Sequence, residues 1–223
     1  MFSERRDTIL EKMGVTRWQK RAQTKAISDK LVLGEENNHW ERLEAQVKGC
    51  TQCSLHKHRT QTVFGTGPKD AKVLVIGEAP GAEEDLKGEP FVGKAGCLLD
   101  EMLVACDFPR EKTFIANILK CRPPNNRNPE ALEMASCIHF LRRQIELVEP
   151  KVILALGRIA AQAILGTKES VGRLRGIVHY DNIVNVPVVV TYHPAYLLRS
   201  PKEKVKCWAD LRLFKEILEC NGK

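Results

Sequence analysis

A chain of 223 residues, 43% of them hydrophobic, can bury one good core with room for a short appendage. No run of about 18 apolar residues occurs, which excludes a membrane-spanning helix, and Met1-Phe2-Ser3-Glu4-Arg5-Arg6 has no apolar stretch behind it, which argues against a secretory signal. The 35 Lys and Arg against 28 Asp and Glu give a net charge of +7, compatible with binding a phosphate backbone, and a cytoplasmic location is expected.

In chain order, Ile9, Leu10 and Met13 fall at helical spacing, with Asp7 as a candidate cap and Gly14 as a candidate stop. These apolar residues have no core of their own. A polar stretch from Gln19 to Asn38 separates them from a helix predicted over residues 39–47. Residues 1–48 are therefore expected to be a short docking peptide on a flexible tether. The competing expectation is an extension that packs on the domain after it.

From Cys50 onward the pattern alternates. Strands are predicted at 73–77, 113–118, 152–156 and 188–191, and helices at 93–106, 128–148, 157–165 and 202–220. Short apolar strands separated by helices imply a mostly parallel sheet covered on both faces. No internal repeat or low-complexity tract interrupts it.

Ligands of such sheets bind outside the carboxyl ends of the strands, and three loops follow those ends. The first, Gly77-Glu78-Ala79-Pro80-Gly81-Ala82-Glu83-Glu84-Asp85, runs on to Gly88, Phe91 and Gly93. Carboxylates beside an aromatic ring and exposed backbone amides suit a planar, polar ligand such as a nucleobase; a solvated acidic turn is the plainer alternative. The second carries Asn117, whose side-chain amide can donate and accept together on a base edge, then runs through Lys120-Cys121-Arg122-Pro123-Pro124-Asn125-Asn126-Arg127-Asn128-Pro129. The third is Thr191-Tyr192-His193-Pro194-Ala195-Tyr196-Leu197-Leu198-Arg199. His193, stiffened by Pro194, is placed to donate to a developing negative charge. Ala195, Tyr196, Leu197 and Leu198, followed by the cations Arg199 and Lys202, suit a wedge entering a DNA groove, or else pack beneath the loop.

Eight cysteines are present. Without a secretory signal, disulfides are the less favoured use. Cys50 and Cys53 form a chelating pair, and Cys121 and Cys137, 16 positions apart, can complete a four-thiolate set. Such a set fits zinc or an iron–sulfur cluster, and a lone CxxC is also compatible with redox activity. Cys97, Cys106, Cys207 and Cys220 read as structural thiols.

Taken together, Gly77-Glu-Ala-Pro-Gly81, Gly88-Glu-Pro-Phe-Val-Gly93, Lys120-Cys-Arg-Pro-Pro124 and His193-Pro-Ala195 resemble the signatures of the family 4 uracil-DNA glycosylases. The resemblance runs from about Cys50 to Leu218. It implies the glycosylase fold, a three-layer α/β sandwich with a four-stranded parallel sheet over residues 49–223, and removal of uracil from DNA to start base excision repair. It also implies a 4Fe-4S cluster on Cys50, Cys53, Cys121 and Cys137. Phe91 would stack on the flipped uracil, Asn117 would read its edge, and amides around Glu78 and Ala79 would hold its oxygens. His193 would stabilise charge on O2. The Pro194–Leu198 loop would fill the gap left in the stack. Glu78 and Glu84 remain the carboxylates for water activation, since Ala79 cannot orient a water.

Arg5, Arg6, Asp7, Leu10, Gly14, Val15, Thr16 and Trp18 carry a second resemblance, to the opening segment of the psi subunit of bacterial DNA polymerase III. That resemblance implies docking on the clamp-loader subunit that forms the tau and gamma chains; a cytoplasmic, nucleoid-associated bacterial monomer is expected. The competing function is a catalytically weak uracil- or DNA-binding accessory of the replisome.

Overall fold

The computed structural model describes residues 39–181 and 185–220. The chain divides into two units, Met1–Trp40 and Glu41–Lys223, and the expected docking residues Arg5 to Trp18 lie outside the described residues. Helix α1 covers residues 39–48. Leu43 and Val47 are buried in a small cluster with Leu55, Leu119 and Phe140.

Strands β1 (Val73–Gly77), β2 (Thr113–Asn117) and β3 (Val152–Leu156) are buried at every residue, which is why they read as continuous apolar runs. With β4 (Val178–Tyr180) and β5 (Pro187–Thr191) they form one sheet in the order β2-β1-β3-β5-β4. Val75 pairs with Ile115 on one side and Leu154 on the other, and Leu154 pairs with Val189, all parallel.

The sheet has five strands rather than the expected four. The addition, β4, pairs antiparallel to β5, with His179 opposite Val188. It is three residues long and partly exposed, too short and too polar for an alternating signal. Pro187 opens β5, a position where its missing N–H removes little from the ladder.

Helices cover both faces. Val73, Val75, Ile115, Leu154, Leu156 and Val189 pack into one core with Leu99 and Leu103 of α3 (Lys94–Val104) and Leu211 and Phe214 of α8 (Lys204–Cys220). Strand side chains alternate between faces, so Leu74, Ile76, Ile153 and Ala155 serve the opposite one. There α4 (Ala131–Val148) lies on β2, and α5 (Gly157–Leu165) on β1 and β3.

Three further helices stand where loops are expected. In α2 (Ala82–Lys87) the Glu84 carboxylate accepts the Gly81 N–H at 3.0 Å, acids fill the first turn, and Gly88 ends the helix at φ 78°. Those acids complement the N-terminal dipole. A single turn, α6 (Val171–Leu174), precedes β4, and α7 (Pro194–Arg199) starts with Pro194 in its first turn, where a missing N–H costs nothing.

Candidate active site

The ends of β1, β2 and β5 open into one cavity of about 430 Å³, lined among others by Glu78, Ala79, Phe91, Asn117, His193 and Tyr196. The tertiary structure thus brings together all three loops that the sequence singles out.

Asn117 closes β2 at the cavity floor, 2% exposed. Its Oδ1 is buried without a hydrogen-bond partner among the described residues. An orphaned buried acceptor costs about 1–3 kcal/mol, so this atom favours a ligand that donates to it. Its backbone carbonyl accepts from the buried Lys120 Nζ at 3.0 Å, and that ammonium also donates to Gln144 Oε1 at 2.6 Å and to Phe64 O at 3.2 Å. Gly77 leaves the required space: a Cβ there would lie 2.3 Å from Asn117 Oδ1 and 2.6 Å from Phe91 Cζ.

Phe91 stands beside this floor with its backbone at φ 55°, a left-handed conformation that costs a phenylalanine about 1–2 kcal/mol. Its ring centroid lies 5.6 Å from that of His193, with 30° between the planes. Glu84 braces the loop from inside. Its Oε1 accepts from Val92 N at 3.0 Å and Gly93 N at 3.2 Å, while Oε2 takes Gly81 N. Arg110, which no sequence motif singles out, braces it from outside. Nη2 donates to Phe91 O at 2.7 Å, Nη1 to Pro90 O at 3.1 Å, and Nε to Asp100 Oδ1 at 2.9 Å.

His193 caps α7, and its Nδ1 accepts the Ala195 N–H at 3.2 Å. That bond assigns the ring proton to Nε2, leaving an N–H free to donate. Burial first, then the Arg199 charge, pull its pKa down to about 4, against a smaller opposing effect of Glu84, so the ring is neutral near pH 7. Glu78 moves the other way: partial burial raises its pKa, with Arg158 partly offsetting.

The expected groove wedge needs one correction. Leu197 is 1% exposed and belongs to the main core, because the helical turn of α7 rotates it inward. Tyr196, Leu198 and Arg199 are exposed, and Leu198 is the apolar tip of the loop. Ala195, Tyr196 and Arg199 line the cavity with His193. Asn126 and Arg127, further along the second loop and without an assigned role in the sequence reading, also line it.

Cys121 and Cys137 are buried in the small cluster under α1, with Cys50 and Cys53 packed against it. Arg59 Nη1 donates to Cys121 Sγ at 3.1 Å and Lys120 N to Cys137 Sγ at 3.3 Å; burial raises both thiol pKa values, and these bonds oppose it in part. Among the described residues, no three His, Cys, Asp or Glu side chains converge on a point suited to a single metal ion. Four thiols are a donor set that either zinc or an iron–sulfur cluster takes.

Against known proteins, the sequence model of the uracil DNA glycosylase superfamily matches residues 64–212. A type-4 uracil-DNA glycosylase of Thermotoga maritima is 45% identical over 167 residues, 74% of this chain and 86% of its own. The type-4 enzyme of Archaeoglobus fulgidus is 44% identical over 184 residues, 80% of this chain and 91% of its own. That of Pyrobaculum aerophilum is 42% identical over 180 residues, 78% and 92% of the two chains.

Proposed function

The chain belongs to the type-4 uracil-DNA glycosylases, and from that premise we propose how its own residues excise uracil from DNA. The base must leave the stack to reach a site at the strand ends. Phe91 stacks on it. Asn117 Oδ1 accepts from the uracil N3–H, and its Nδ2 donates to O4. Cytosine inverts both groups and leaves both bonds unmade, which is how such a site rejects it. The unpartnered, buried Asn117 Oδ1 is the observation that carries this reading.

As the C1′–N1 bond breaks, its electron pair goes to the uracil ring and charge builds on O2. The neutral His193 donates Nε2–H to that oxygen; a preorganised donor at developing charge is worth about 10²–10³ in rate. Water then captures the sugar cation at C1′ and loses a proton, which ends on the uracil anion. Of the two carboxylates, Glu84 is committed to three backbone amides and acts by shaping the loop. Glu78 is the one we assign to the water. Tyr196, Leu198 and Arg199 would occupy the vacated stack and the adjoining phosphates.

Cys50, Cys53, Cys121 and Cys137 would hold a 4Fe-4S cluster. Bound there, it would cross-link the segment after α1 to the loop after β2 and to α4. Visible absorbance together with iron and sulfide analysis of the purified protein tests this, and zinc in their place would sink it.

The function is tested by incubating the protein with a uracil-containing oligonucleotide and then with alkali. Strand scission at uracil, absent from a thymine control, is expected. Tight binding without abasic sites would favour the accessory-protein reading instead.

The order of Arg5, Arg6, Asp7, Leu10, Gly14, Thr16 and Trp18 supports a further role for the N-terminal peptide. It would tether the enzyme to the tau and gamma clamp-loader subunit, raising its concentration at new DNA without altering the pocket. Clamp-loader pull-down that survives deletion of residues 1–20 would remove this role.

A further inference from the structure

We infer that Arg110 is a positioning residue for base recognition: with Asp100 behind it, its guanidinium fixes the peptide planes on both sides of Phe91 and so aims the stacking ring. The inference rests on the reading in which Phe91 stacks on the flipped base. It adds a residue far from every motif, in the 3₁₀ turn Arg110–Lys112 that leads into β2.

The geometry is that of a fork across two successive carbonyls. Pro90 O belongs to the peptide plane that defines φ of Phe91, and Phe91 O to the plane that defines ψ. Arg110 grips both, at 3.1 and 2.7 Å. The second plane is also held at its other end, where Val92 N–H meets Glu84 at 3.0 Å. One peptide is thus clamped between a cation on its oxygen and an anion on its nitrogen. Asp100 fixes the Arg110 rotamer through Nε at 2.9 Å, so the fork is itself preorganised.

Such restraint is needed because Phe91 sits at φ 55°. Left-handed backbone at a bulky residue persists only where the surroundings over-determine it. Gly96 removes the obstacle on the remaining side: a Cβ there would lie 1.8 Å from Phe91 O. Released from the fork, residue 91 can relax to negative φ. Its ring then leaves the place 5.6 Å from His193 where a base plane is received. Lysine cannot replace the fork, since a single ammonium does not reproduce the planar set of donors to two carbonyls and a carboxylate.

A double-mutant cycle on the full chain tests this, crossing Arg110→Met with Phe91→Ala. The readouts are kcat and KM on a uracil oligonucleotide and inhibition by free uracil, which reports pocket binding without base flipping. Arg110→Met alone should lower kcat/KM by about 10- to 100-fold, the scale expected of a small misplacement, and weaken free-uracil inhibition. Arg110→Lys should recover only part of the loss. In the Phe91→Ala background Arg110→Met should change kcat/KM by less than about twofold, because coupled residues are non-additive. Losses that multiply in that background, or unchanged uracil inhibition in Arg110→Met, would overturn the inference. Should Arg110→Met fail to fold, Asp100→Asn enters the same cycle under the same criteria. An inactive wild-type protein would sink the functional reading, whereas multiplicative losses in an active one sink only the role of Arg110.

Discussion

At Asn117 one side-chain oxygen is buried beside Phe91 without a hydrogen-bond partner among the described residues, and in the proposed function it is the atom that selects the base. Asn117→Ala removes two hydrogen bonds to the base at about 1–1.5 kcal/mol each, so kcat/KM on uracil should fall by about 100-fold, with the loss also visible in free-uracil inhibition. His193→Ala should instead act on kcat, by about 10²–10³, and leave uracil affinity nearly unchanged. The two side chains therefore separate in a KM-against-kcat comparison. Equal, negligible effects would mean that the cavity is misassigned. The pH dependence follows from the depressed His193 pKa, about 4 against an ordinary 6.5. Between those values the unfolded chain holds a proton that the folded chain refuses, so stability from this group falls as pH drops from 6.5 towards 4. Activity should cross pH 6.5 without a step from His193. Thermal unfolding from pH 7 to 4 should show an acid-side loss that His193→Ala reduces.

The short helices α2 and α7 convert loops into rigid supports. In α2 the carboxylate of Glu84 gathers three amides, two of them just past Phe91; in α7 the cap is His193, the residue proposed to donate to uracil O2. The same turn of α7 divides two adjacent leucines between two tasks. Leu197→Ala opens a hole in the core and should cost about 2–5 kcal/mol, read as a lower Tm, whereas Leu198→Ala should leave Tm unchanged and weaken binding to uracil-containing duplex. Destabilisation by both, or by neither, would contradict the assignment of one to the core and one to DNA. Behind α7, Asp210 of α8 joins Thr191 Oγ1 at 2.8 Å and the Arg175 guanidinium at 2.9 and 3.0 Å. This network ties the end of β5, just before His193, to α8.

For the whole molecule, a net charge of +7 makes DNA affinity depend on salt. Arg199→Ala should weaken binding to uracil-free and uracil-containing duplex alike, and should reduce the salt slope by about 1. A change confined to uracil-containing DNA would place Arg199 inside the recognition pocket rather than on phosphate. Lys120, buried in the loop after β2, acts at this scale too: it gives its N–H to Cys137 Sγ of α4 and its ammonium to Asn117 O.

The chain order of buried apolar runs, together with glycines at their ends, was enough to determine a parallel α/β sheet and the three loops at its carboxyl edge. Phe91, Asn117 and His193 were legible because each stands within a short motif beside a strand end. What only the tertiary structure decided depends on contacts between distant segments. The carboxylate of Glu84 reads as a candidate base until the folded loop surrounds it with amides. The side of α7 that Leu197 faces is set by the core beneath it, not by its neighbours in sequence. β4 exists because β5 offers an edge to pair with, since three half-exposed residues carry no strand pattern of their own. Arg110 is silent in the sequence for the same reason: its partners are two carbonyls some 20 positions away, and carbonyls belong to every residue, so no pattern of side chains announces them.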